Sequence, residues 1–241
     1  MVNPTRITAS APTLSPGTLN DVLVTNPGGA SGTLLDGWFA DFLDVPQSHG
    51  FHADIETVFR HGVSAGCGLG SYCPASPVTR AQMAVLLLKG EHGGGYQPPP
   101  CAGTVFTDVP CPGGQNVDWI NQLAAEGITG GCGSGLFCPA ALLTRQQMAV
   151  FLLKGKHGGA YQPPPCAATI FTDVPCAGAP FVDWINQLSA EGITAGCGGG
   201  NYCPVAVTPR GQMAAFLVNT FSLVPVSLTA PRSVGPRARR P

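Results

Sequence analysis

The chain has 241 residues; only 10% are charged, and 33 Gly with 24 Pro make up nearly a quarter of it. With 44% of residues hydrophobic, this composition excludes a generally disordered chain and points to short elements joined by many turns. Net charge is −1, but Arg232, Arg237, Arg239 and Arg240 stand together at the end, so residues 1–231 hold 8 basic against 13 acidic side chains, a balance of −5 that disfavours nucleic acid as a partner.

Residues 1–38 read as a short β segment. Arg6–Ala9, Asp21–Thr25 and Gly32–Leu35 are strand-like runs separated by Pro-Gly and Gly-Gly turns. The opening residues lack the apolar stretch of a signal peptide, so the expectation is a mature chain or a fragment beginning inside a longer secreted protein. No segment approaches the roughly 18 apolar residues that a transmembrane helix needs.

From about residue 40 to residue 221 the sequence repeats itself at a step of 65. Cys67, Cys132 and Cys197 keep that step, as do Cys73, Cys138 and Cys203, Arg80, Arg145 and Arg210, and Met83, Met148 and Met213. Three units follow, at 39–92, 93–157 and 158–221, with a basic tail over 222–241 expected to be solvated and disordered. The stretches Gly90–Pro100 and Gly155–Pro165 read as flexible glycine runs leading into stiff proline runs.

Within a unit two helices are expected. Val117, Ile120, Leu123 and Ala124 fall at helical spacing, and so do Phe181, Trp184, Ile185 and Leu188. These helices should end near Gly127 and Gly192, where glycine takes the left-handed cap. A second helix follows Thr144, with Gln147 completing a capping box that Thr79 and Gln82 repeat. In the third unit Thr208 shifts the cap by one residue and Pro209 is expected at the first helical position. Met148, Phe151 and Leu152, like Met83, Leu86 and Leu87 or Met213, Phe216 and Leu217, form an apolar core stripe.

The spacing of the ten cysteines assigns partners. Cys67–Cys73, Cys132–Cys138 and Cys197–Cys203 flank tight glycine-rich reversals that bring the two thiols face to face. Cys101 with Cys111 and Cys166 with Cys176 are present together in two units and absent together in the first, where Gly37 and Gln47 take their places. Five local disulfides are therefore expected, and with them an extracellular or cell-surface location. Zinc is the competing reading, but its cysteine pairs typically enclose about two to four residues, and the histidines fail to recur, Ser222 standing where His92 and His157 lead one to expect a third. No metal or other cofactor is implied.

Phe106, Asp108, Val109, Trp119, Ile120, Gly127, Ile128, Gly131, Gly135, Phe137, Pro139, Thr144 and Arg145 together resemble the bacterial S-layer homology (SLH) domain, and the resemblance runs through all three units. It implies a mainly α fold of three tandem helix–loop–helix repeats packed as a pseudo-trimer. It also implies non-covalent attachment to cell-envelope polysaccharide in grooves between the repeats. Carried over by position, the glycan-binding candidates are Arg80, Arg145 and Arg210, Asp44, Asp108 and Asp173, and Trp119 and Trp184. Arginine forks suit acidic sugar substituents. The competing readings are that the aspartates cap the first helices, that the tryptophans fill the core, and that Glu126 or Glu191 is the arginines' partner. Unit one carries Asp54 at the Trp position, with Phe51 nearby.

Asn20–Gly32 resembles the last strands of an IPT/TIG immunoglobulin-like domain, cut to about half its length. That truncation implies an alternative role, a self-assembling subunit of an extracellular filament or layer whose sheet is completed by a neighbouring copy. No nucleophile–base pair, phosphate loop or metal triad recurs, so the chain is not expected to be an enzyme.

Overall fold

The computed structural model describes residues 12–225 apart from Asn26 and Ala30; the strand expected at Arg6–Ala9 and the tail arginines lie outside the described residues. β1 (Thr18–Thr25) and β2 (Ser31–Ala40) form an antiparallel hairpin, with a register shift between Asn20 and Val22. Both expected strands fall inside it. β2, however, runs beyond residue 38, so the boundary placed there falls within a strand. The cause is the apolar end of β2: the Phe39 ring packs on Phe42 and Phe59, at 5.6 and 5.4 Å between centroids, and joins the hairpin to the first unit's core.

Among the described residues six helices follow: α1 (His52–Arg60), α2 (Arg80–His92), α3 (Val117–Ala125), α4 (Arg145–His157), α5 (Val182–Ala190) and α6 (Arg210–Phe221). The short helices α3 and α5 end as expected, and α1 ends in the same way. Glycine with positive φ follows each C-cap (Gly62 at 69°, Gly127 at 73°, Gly192 at 70°), and the next N–H reaches back five residues, as Ile128 does to Leu123 O at 3.1 Å. The start of α5 differs from expectation. Phe181 stands before α5 at φ 60°, half exposed, instead of contributing to the buried stripe.

The long helices begin as the sequence indicates. Thr79 accepts from Gln82 N–H and its own N–H is taken by the Gln82 side chain at 3.1 Å. The Gln147 side chain likewise accepts from Thr144 N–H at 3.2 Å. In α6 Pro209 is the cap and not the first helical residue. It keeps the register of Thr79 and Thr144 and has no N–H to be capped.

The long helices are apolar over most of their circumference, which suits burial on several sides. α2, α4 and α6 pack on one another, with Met83, Leu87, Met148, Leu152, Met213 and Leu217 sealed among them. The residues leading into them are stitched in a closed ring: Val78 N–H donates to Thr208 O, Thr208 N–H to Leu143 O, and Leu143 N–H to Val78 O, each at 2.9 Å.

The short helices pack chiefly outside their own units. α3 lies on α2, α5 on α4, and α1 on α6, so each long helix is covered by the next unit's short helix and the last by the first. The linkers make this crossing. Read from sequence as flexible, their glycine runs are in fact docked: a Cβ on Gly159 would stand 2.5 Å from the Gly127 carbonyl carbon, and one on Gly94 would meet Gly62 equally closely. All five expected disulfides are present, Cys67–Cys73, Cys101–Cys111, Cys132–Cys138, Cys166–Cys176 and Cys197–Cys203. By loop entropy each contributes roughly 2 kcal/mol.

Candidate functional site

Each disulfide hairpin is held by an aspartate from the Phe-x-Asp-Val motif. Asp108 accepts from the N–H groups of Phe137 at 2.8 Å and Cys138 at 2.7 Å. Asp44 does the same for Tyr72 and Cys73, and Asp173 for Tyr202 and Cys203. These aspartates therefore clamp loops. They do not cap the first helices, whose N-caps are Phe51, Asn116 and Phe181 without side-chain cap bonds. Partial desolvation works to raise the Asp108 carboxyl, but the two N–H groups and the charge of Arg80 outweigh it and hold it below its usual range.

The aromatic residue in the clamp carries the link to another unit. While Phe137 N–H donates to Asp108, its carbonyl accepts from Arg80 Nε at 2.7 Å, and the guanidinium lies over its ring at 4.8 Å. Arg145 reaches Tyr202 O in the same way at 2.7 Å, with its ring 4.7 Å away. Arg210 returns to Tyr72 O at 2.9 Å, over a ring at 4.6 Å. Each arginine thus spans two units, and the third closes on the first. Neither Glu126 nor Glu191 partners them; those carboxylates bind His92 at 3.0 Å and His157 at 2.8 Å.

Arg80 and Arg145 are only 5% and 3% exposed, and burial pushes both guanidiniums down from their usual value. Each keeps an Nη2 that is sealed from solvent and without a protein hydrogen-bond partner, a costly state for a group that remains charged. Arg145 additionally donates through Nη1 to Gln212 Oε1 at 3.0 Å. Gln212 is free to accept because Pro209 offers no N–H to cap.

Beside Arg80 lies a groove of about 460 Å³, walled by the Thr129–Cys132 turn, Gln147, Phe151 and Lys154 of α4, and Phe181 of the following unit. A second groove, about 240 Å³, is built from the corresponding residues: Arg210, Ser64, Gln82, Leu86, Lys89 and Asn116. Lys154 and Lys89 hold the same place in each, donating to Gly127 O at 3.2 Å and Gly62 O at 3.4 Å. Asn219 occupies that position on α6 and donates to Ile193 O at 3.3 Å.

Of the sequence candidates, then, Arg80 and Arg210 line these grooves, while the aspartates serve the hairpins. Trp119 and Trp184 line neither. Both are half buried, edge-on to the linker residues Tyr96 and Tyr161 at 6.0 and 6.1 Å, which lie 4.4 Å from His92 and His157. The groove residues that sequence reasoning missed are Lys89, Lys154, Gln147 and Thr129. Their signal was repetition at a step of 65, for Lys89, Lys154 and Gln147 on a helix face outside the apolar stripe and for Thr129 in the turn after the short helix.

Among known families, the S-layer homology domain model matches residues 41–84 and 115–149. The matches run through the clamp aspartate, short helix and arginine of the first unit, and through the short helix and arginine of the second. No curated protein matches the chain. S-layer homology domains generally mediate cell-surface anchoring to envelope polymers. The match and the five disulfides fit an extracellular or cell-surface protein, and among the described residues no helix is long and apolar enough to cross a membrane.

Proposed function

We propose that the chain is a non-catalytic anchoring module of three SLH-like repeats arranged as a pseudo-trimer, whose inter-repeat grooves bind an anionic cell-envelope glycan. Its third repeat, 158–221, carries the same elements as the second at the same step. The single observation that supports the reading most is the groove beside Arg80, which the guanidinium lines together with Lys154, Gln147 and the Thr129 turn. Two cations with neutral donors between them suit a carboxylate or ketal-acid sugar.

Arg80 also holds the repeats together, so its removal would confuse binding with folding. Lys154 is the better probe. Titration calorimetry with purified envelope polysaccharide should show Lys154→Glu weakening binding at least tenfold while the chain still unfolds in one cooperative transition. Equal binding by the variant would sink the groove assignment.

A second reading has its own support, in the hairpin. Leu23, Leu35 and Trp38 expose 64%, 71% and 49% of their surface, and among the described residues each strand has one edge without a strand partner. We read this hairpin as part of an IPT/TIG-like sheet that a neighbouring copy completes, making the chain a subunit of an extracellular filament or layer. Concentration-dependent assembly that survives deletion of residues 1–38 would exclude it.

A further inference from the structure

The ends of α2 and α3 bring together Glu91, His92 and Glu126, with one donor atom from each within 4.8 Å of the others. Glu126 Oε1 is occupied, by His92 Nε2 at 3.0 Å and Gln122 Nε2 at 2.7 Å. Its Oε2 is sealed from solvent and unpartnered, and so is Oε2 of Glu91. Both carboxylates sit where a helix presents its negative end, Glu91 in the last turn of α2 and Glu126 at the C-cap of α3, so the dipoles add to the demand for positive charge.

The α4–α5 junction serves as an internal control. There Lys156 replaces Glu91, while His157 and Glu191 keep the places of His92 and Glu126. Lys156 Nζ lies 2.9 Å from Glu191 Oε2, an ion-pair contact not aligned as a hydrogen bond, and His157 Nε2 lies 2.8 Å from Oε1, so this junction supplies its own cation. At α2–α3 that cation has been exchanged for a second carboxylate. The nearest lysine on α2, Lys89, points to Gly62 O and the Trp119 ring instead.

We propose that Glu91, His92 and Glu126 bind one divalent ion of the zinc class, which ties α2 of the first repeat to α3 of the second. One imidazole and two carboxylates form a three-ligand set that zinc accepts with water in the fourth position, and the ion would take the place that Lys156 fills one repeat later. Packing of His92 against the tilted Tyr96 ring, 4.4 Å between centroids, fixes the imidazole in advance, as supporting shells do in metal sites.

The test is calorimetric titration of the oxidised full chain with Zn²⁺ at pH 7.5. The wild-type chain should bind one more ion than Glu91→Lys, which keeps every histidine and reproduces the residue found at position 156. Lys156→Glu should gain a site of similar affinity. Zn²⁺ should raise the melting temperature of the wild-type chain and leave that of Glu91→Lys unmoved. Equal ion counts in the wild-type chain and Glu91→Lys would overturn the proposal and leave a shared proton as what joins the carboxylates; a folded Lys156→Glu that gains no site would overturn it as well.

Discussion

At the scale of single residues, the aspartate clamp and the bridging arginine do the most with the fewest atoms. Charge-assisted hydrogen bonds contribute about 1.5–3 kcal/mol each, so Asp108→Asn should destabilise the chain by roughly 2 kcal/mol in urea unfolding. Its pH signature is set by direction. Asp108 is held below its ordinary value, so its contribution is complete above the unfolded carboxylate pKa of about 3.9 and is lost as pH falls through the depressed folded value. Stability measured from pH 6 to pH 2 should therefore fall less steeply in Asp108→Asn. Glu91 runs the other way. Its carboxyl is raised, which favours the fold at low pH and weakens it as pH rises through the folded value. Without metal, Glu91→Lys should melt higher than the wild-type chain at pH 7.5, and a lower melting temperature would contradict the charge argument.

At the scale of elements, helix ends and linkers decide the pairing. Gly159 lies against Gly127, the left-handed residue that ends α3. Gly159→Ala should cost about 1–3 kcal/mol by forcing the linker off that cap, detectable as faster amide exchange at Tyr161. The Thr79 capping box is a milder device; Thr79→Ala should cost about 1 kcal/mol and leave the ring of Val78, Leu143 and Thr208 intact. Both caps and all five disulfides could be read from the sequence, because each is a contact between near neighbours with its own residue signature. Pro209 as cap was misplaced by one residue, since Thr208 imitated a cap where the repeat register put proline.

At the scale of the molecule, α1 on α6 and Arg210 on Tyr72 join the two ends of the repeat array. A closed arrangement of this kind should unfold as one cooperative unit. Calorimetry of the chain should give a single transition, and residues 93–157 alone should fail to fold, since α3 would lose α2 and α4 would lose α5. Three separable transitions would show that the units stand alone.

The sequence by itself determined the repeat, its helices, its disulfides and the arginines worth watching, because those rest on periodicity and on contacts a few residues long. It did not name the partners of the aspartates, the tryptophans or the linkers. Each of these acts on a partner in another turn or another repeat: Asp108 on a hairpin about thirty positions away, Trp119 on a linker tyrosine, Gly159 on a helix end. Only the packed chain decided that each short helix covers the long helix of the preceding repeat. Burying an apolar helix is a matter of which surface lies nearest in space, and sequence order does not record that.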